Sequence, residues 1–257
     1  MSVRTRRLAV LGAAVAVTIG TLFFAWRWPR ALDTQTRAGP PTAASDGAAP
    51  QLNDIDSLRR AYGAAANDVA RDQLLQRAGQ LGTAEAAEWL AEVAEQNPGL
   101  ASHASASLGA IDNPSAAAEL LRLATNADSV LVRANAVRAL GASGNATDTP
   151  PLAGLLSDEA QTLRIRQEAA LALGRIGGPD AVNALATSLT KLEEGAGADV
   201  EQLRISIVQA LGNNPTPAAR TALTRHAARK LSETERAFTT RALAVGQSTT
   251  QGATGGH

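Results

Sequence analysis

Along most of this chain apolar residues recur at helical spacing. Val132, Ala136, Val137 and Leu140 fall at i, i+4, i+5 and i+8, and Ala169, Ala170, Leu173 and Ile176 repeat the arrangement one unit later. Each stripe belongs to a recurring phrase of an Arg, a run of small residues and Ala-Leu-Gly. It reads RANAVRALG at 133–141, RQEAALALG at 166–174 and RISIVQALG at 204–212. Looser copies are LLQRAGQLG at 74–82, HASASLG at 103–109 and RAFTTRALA at 236–244. Taking Leu81, Leu108, Leu140, Leu173, Leu211 and Leu243 as reference positions gives intervals of 27, 32, 33, 38 and 32 residues. A period near 33 is one supersecondary unit stacked on itself. Gly141, Gly174 and Gly212 follow the last core Leu, where a helix end favours a residue free to take positive φ. Pro114, Pro179 and Pro217 then suit the first turn of a new helix. A second stripe follows each restart: Ala118, Leu121 and Ala124; Val182, Leu185 and Leu189; Ala219, Leu223 and Ala227. The pattern predicts an all-α solenoid of five to six helix pairs over 51–245, with no strand.

The segments RIRQEAALALGRIGGPDAVNAL (164–185) and VEQLRISIVQALGNNPTPAARTAL (200–223) resemble HEAT-like repeats of the type named after the phycobilisome bilin lyases. The resemblance covers roughly 60–245 and implies a stack of helix pairs; the pattern is specific for the fold and unspecific for activity. It also implies an Asp–Arg ladder between adjacent repeats. Arg133, Arg166, Arg204 and Arg236 stand seven before the reference Leu, with Asp128, Asp158 and Asp199 as acidic partners, so these Arg are expected to be scaffold. The expected contact row lies five and two before the reference Leu, on the exposed side of the second helices. It reads His103/Ala106, Asn135/Arg138, Glu168/Leu171, Ser206/Gln209 and Phe238/Arg241, a mixture of short polar and apolar groups that suits a peptide ligand and also an idle solvated face.

The amino-terminal residues stand outside the repeat frame. A basic tail at 1–7 carries Arg4, Arg6 and Arg7 and precedes an uncharged run from Leu8 to Trp26. At ~1.5 Å per residue that run is about 28 Å long, close to the hydrocarbon thickness of a bilayer. Phe23, Phe24, Trp26 and Trp28 gather at its far end, and Pro29 stops it. Residues 8–28 are therefore read as a transmembrane signal anchor. A cleaved signal peptide is the alternative, but its apolar region is usually shorter and no clean cleavage site follows. The twin-arginine reading of Arg6-Arg7 is poorly supported by Ala9 and Val10. Residues 29–50 are a Pro/Ala/Gly-rich linker, and 246–257 are a low-complexity tail expected to be disordered. The expectation is a single-pass inner-membrane protein with its solenoid in the periplasm. The opposite, cytoplasmic orientation is the alternative, because Arg27, Arg30 and Arg37 after the run balance the Arg before it.

Charge narrows the partners. The chain is formally neutral, yet residues 1–50 hold six Arg and two Asp, leaving 18 basic and 22 acidic residues in the remainder. A mildly acidic solenoid with Tyr62, Trp89 and Phe238 as its aromatics does not suit nucleic acid, which needs phosphate neutralisation and stacking. Chemistry is sparse. Without Cys there is no disulfide, and His103, His226 and His257 have no partners at metal-ligand spacing. Deoxyhypusine hydroxylase, a relative of this repeat type, binds iron through His-Glu pairs; here Ala104 follows His103 and Ala227 follows His226, so that site does not carry over. The Gly of ALGRIGG (172–178) follow no strand, and Glu193-Glu194 in the long turn 192–199 read as solvated charge. Neither a cofactor nor a metal is expected. The reading is a non-enzymatic scaffold that binds an envelope protein; its rival is a solenoid enzyme or enzyme subunit of lyase-like or metal-dependent type.

Overall fold

A computed structural model describes residues 52–214 and 216–251. The expected anchor Leu8–Trp26, the linker 29–50 and the last six residues lie outside the described residues. Among the described residues no helix is long and apolar enough to cross a membrane.

The described chain is all-helical. Twelve helices run in order: α1 (Ile55–Ala64), α2 (Asp68–Leu81), α3 (Ala84–Gln96), α4 (Ala101–Gly109), α5 (Pro114–Asn126), α6 (Val130–Ser143), α7 (Thr149–Ser157), α8 (Leu163–Ile176), α9 (Gly178–Lys191), α10 (Ala198–Gly212), α11 (Pro217–Ala227) and α12 (Glu233–Gln251). Short polar residues start many of them. Asp54, Asn67, Thr83, Asn113, Ser129 and Thr216 each accept a hydrogen bond from a backbone N–H of the first turn, worth about 1 kcal/mol per cap. Pro114, Pro179 and Pro217 occupy first-turn positions as expected. The last helix continues to Gln251, six residues into the segment read as a tail; no Pro interrupts GQSTTQ.

Consecutive helices pair, giving six units. The even-numbered helices form one row in which each packs on the next. In the odd row α3 packs on α5, α7 on α9 and α9 on α11, while α5 and α7 barely touch. A cleft of about 830 Å³ opens there between α5 and the α6–α7 turn, lined by Ile111, Asn113, Leu120, Ser143 and Asn145 among others. Leu90, Leu108, Leu120, Leu140, Leu156, Leu173 and Leu185 fill the layer between the rows and are fully buried.

The repeat phrase itself makes the even row. None of Gly141, Gly174 and Gly212 takes positive φ: Gly141 and Gly174 lie inside α6 and α8, and Gly212 is the last residue of α10. Their role is close approach. A Cβ at Gly141 would sit 2.5 Å from Ala172 Cα, at Gly174 2.7 Å from Ala210 Cβ, and at Gly212 2.8 Å from Ala242 Cβ. Gly109 meets Ala139 in the same way at 3.2 Å. So the Gly of one Ala-Leu-Gly receives the Ala of the next, and the motif interlocks with its own copy. The positive φ falls one turn later, at Gly144 (+69°), which closes α6.

This contact also corrects the register of the first unit. There Gly79, not Gly82, meets the next unit, with a Cβ position 2.8 Å from the Ser107 carbonyl oxygen. Ala78 is fully buried and is the true counterpart of Leu108, whereas Leu81 is half-buried one turn beyond it. Two odd-row stripes shift as well. In α5 the buried face is Ala116, Leu120, Leu123 and Ala124, with Ala118 exposed. In α11 it is Ala219, Ala222, Leu223 and His226, with Ala227 exposed. Both were misread because Ala is abundant on every face of these helices and marks none of them.

Candidate functional site

The predicted contact row divides by depth. Five before the reference Leu, Asn135, Glu168 and Ser206 are buried and only His103 is exposed. Even helices lie so close that this position falls beneath the neighbouring helix. Two before the reference Leu the chain surfaces: Ala106, Gln209 and Arg241 are exposed, and Arg138 keeps 40% of its side chain accessible. Arg138 also joins two units. Its Nη2 donates to Glu168 Oε1 at 2.9 Å and its Nη1 to Asn135 Oδ1 at 3.3 Å, while Arg164 Nε approaches the same Glu168 oxygen at 3.1 Å. The Glu168 carboxylate raises the guanidinium pKa of Arg138. Further back, His103 Nδ1 lies 3.9 Å from Asp72 Oδ1.

Grooves follow from the glycines. Where Gly109 removes a side chain, a groove of about 270 Å³ runs between α4 and α6, walled by Ser102, Ala106, Asn135, Arg138 and Ala142. A second, of about 360 Å³, crosses α8, α10 and α12 at Leu171, Gln209, Gly212, Phe238 and Arg241. Each sets one Arg beside an apolar floor.

The Arg row meets backbone rather than Asp. Arg166 Nε donates to the Leu156 carbonyl at 3.0 Å, Arg204 Nη1 to the Leu192 and Gly195 carbonyls at 3.0 Å, and Arg236 Nη2 to the Leu231 carbonyl at 3.2 Å. The guanidinium thus caps carbonyls at or after the end of the preceding odd helix. Arg133 instead donates to Gln161 Oε1 at 3.3 Å, and Gln161 in turn donates to Asp158 at 2.9 Å. Asp128 and Asp199 are exposed and enter no ion pair with Arg133 or Arg204 among the described residues. Of the expected Asp–Arg ladder, Asp158 is held below the ordinary carboxylate range by hydrogen bonds from Gln161 and Ala160 and, more weakly, by the charge of Arg166, while carbonyl capping and the relayed Arg133 contact make the direct contacts.

Sequence reasoning missed a buried ionic cluster at the last two units. Glu235 is 2% exposed and accepts from Arg204 Nε at 2.7 Å; His226 Nε2 lies 3.0 Å from the same oxygen. Glu193 is no solvated charge. Its carboxylate accepts from Arg229 Nη1 at 2.7 Å and its carbonyl from Nη2 at 2.9 Å, so two arginines hold the long turn after α9. The available signal was the helical frame: His226 falls on the buried face of α11 and Glu235 on that of α12. Among the described residues no group of three or more His, Cys, Asp or Glu could hold a metal ion.

Burial pushes the His226 pKa below the ordinary 6.5, against the opposing pull of Glu235. Folding therefore prefers the neutral ring. Below pH 6.5 the unfolded chain takes up a proton that the folded chain refuses, so stability falls with pH until the folded pKa is reached. Melts between pH ~6.5 and ~5.5, above the ordinary carboxylate range, should show this decline in the parent. The decline should flatten in His226→Gln; an equal slope in both would refute the assignment.

Residues 87–164 and 124–196 match the model of HEAT repeats. No curated protein matches the sequence. Among solved structures, an engineered protein is similar at 19% identity over 76% of this chain and 97% of its own, with a TM-score of 0.44. A designed armadillo repeat protein is similar at 16% identity over 75% and 99%, with a TM-score of 0.40. Human deoxyhypusine hydroxylase in complex with glycerol is similar at 20% identity over 77% and 93%, with a TM-score of 0.26.

Proposed function

We propose that this chain is a non-enzymatic scaffold, held at the inner membrane by Leu8–Trp26, that docks a segment of an envelope protein against its even-helix face. The observation that carries the reading is the pair of inter-helix grooves, each combining an apolar floor with an Arg at the rim. The fitting ligand is a segment with apolar side chains for the floors and carboxylates for Arg138 and Arg241. A membrane tether of about twenty residues would raise the local concentration of a bilayer-proximal partner toward the mM range. The solenoid is read as periplasmic.

Three experiments test this. The full-length protein should remain with membranes after an alkaline wash, and protease added to spheroplasts should digest the solenoid; soluble or protected protein defeats anchor or topology respectively. Gln209→Ala and Arg241→Ala should weaken partner capture with little change in melting temperature, because both side chains are exposed. Arg138→Ala should weaken capture and also stability, since it strands the buried Glu168 carboxylate beside Arg164 alone.

A further inference from the structure

His226 is 1% exposed, yet neither ring nitrogen completes a hydrogen bond among the described residues. Nε2 stands within ion-pair distance of Glu235 but off the direction of a ring N–H, and Nδ1 has no partner at all. Buried polar atoms are nearly always satisfied, so the ring nitrogen favours a hydrogen-bonding group at this point of the fold. The ring lines a cleft of about 360 Å³ whose other walls include Glu193, Arg204, Arg229, Lys230 and Glu235.

The cleft has cationic capacity left over. Arg229 engages Glu193 through one proton on each terminal nitrogen, leaving its Nε–H and two further protons. Lys230 is exposed at the rim and contributes three more donors. Three basic residues against two carboxylates leave one positive charge with His226 neutral and two with it protonated. The surroundings reinforce this. Residues 216–245 carry six Arg and Lys against two Glu, whereas 51–215 carry twelve basic residues against twenty acidic ones. The last unit is the basic end of an acidic stack.

We propose that this cleft binds an oxyanion, a phosphate or carboxylate group, and that His226 takes up a proton from solvent as the anion enters. The new Nδ1–H donates to the anion and Nε2–H turns toward Glu235. Arg229 and Lys230 supply the remaining contacts. Arg204, on α10, and Glu235, on α12, face the ring from the neighbouring helices and Glu193 from the long turn, so the anion offsets the net positive charge that protonation adds. The site lies apart from the even-helix grooves and does not depend on their role.

The test titrates the full-length chain with sodium phosphate and, separately, sodium acetate at matched ionic strength. The imidazole signal of His226 is followed by NMR, assigned by its loss in His226→Gln. The expected result is a saturable shift of that signal toward its protonated position. The apparent Kd should weaken about tenfold per pH unit between the free-state and the bound-state pKa of the ring and level off above the latter. Phosphate binding tighter than acetate identifies a phosphate site, and comparable binding a carboxylate site. Lys230→Ala should weaken binding, while Arg225→Ala, exposed on α11 outside the cleft, should not. Both variants alter exposed residues, so the comparison stands even if His226→Gln fails to fold. An unmoved His226 signal with both anions, or equal weakening by the two surface variants, would overturn the proposal.

Discussion

Replacing Gly141 by Ala should destabilise the solenoid by about 2 kcal/mol, although the same change in an open helix stabilises it. The helix-propensity gain is about 1 kcal/mol. Against it stands overpacking, which costs about 1–3 kcal/mol and occasionally more. The upper end applies here, because the new Cβ would meet Ala172 at 2.5 Å from Cα and 2.6 Å from Cβ. A Cα cannot rotate aside, so α6 and α8 must separate. Gly154 is the control: it lies inside α7 with nothing within 4 Å of an added Cβ. Gly154→Ala should therefore gain about 0.5–1 kcal/mol. Because each unit touches only its neighbours, the Gly141 change also cuts the stack between the third and fourth pairs. Denaturant melts should show a lower midpoint or two separated transitions for Gly141→Ala, and a raised single midpoint for Gly154→Ala. Shifts of the same sign in both would remove the interlock from the account.

Arg204→Ala should cost about 3–5 kcal/mol, the usual loss when one member of a buried ion pair is removed. Its side chain is 14% exposed and that of Glu235 2%. The change strands the carboxylate and also frees the Leu192 and Gly195 carbonyls that hold the long turn. His226 then becomes the nearest cation available to Glu235, so the variant should recover part of its stability as pH falls through the histidine range. That trend is opposite to the parent's. The comparison is Arg122→Ala. Arg122 bridges Glu95 and Glu119, but its pair with Glu95 has side chains 41% and 36% exposed; solvent holds such a pair to about 1 kcal/mol or less. Equal losses from the two changes would mean that burial does not set the strength of these pairs.

The stack was legible because its signal is repetition. Val132, Val137, Leu140, Leu173 and Leu185 are large, apolar and periodic, and all are buried. What misled was Ala and Gly. Ala118 and Ala227 carry no mark of their face, and the Gly of Ala-Leu-Gly reads equally as a helix end or as a close approach until the neighbouring helix is in place. The contact row failed in depth for the same reason: how far Glu168 and Asn135 sink depends on the spacing of helices a whole unit apart. The ionic cluster joins Glu193, Arg204, His226 and Glu235 across the long turn and three helices, and no local spacing brings those residues together.

The proposed docking of an envelope protein on the even-helix face of a membrane-held scaffold has a direct test. The most direct measurement is site-specific photo-crosslinking in intact membranes, with the reactive side chain placed at Ala106 or Gln209 on that face, or at Glu88, which is exposed on α3 in the odd row. The expected result is one and the same envelope-protein adduct from Ala106 and Gln209, weakened by Arg241→Ala, and none from Glu88. An adduct from Glu88 with none from the two groove positions would contradict it.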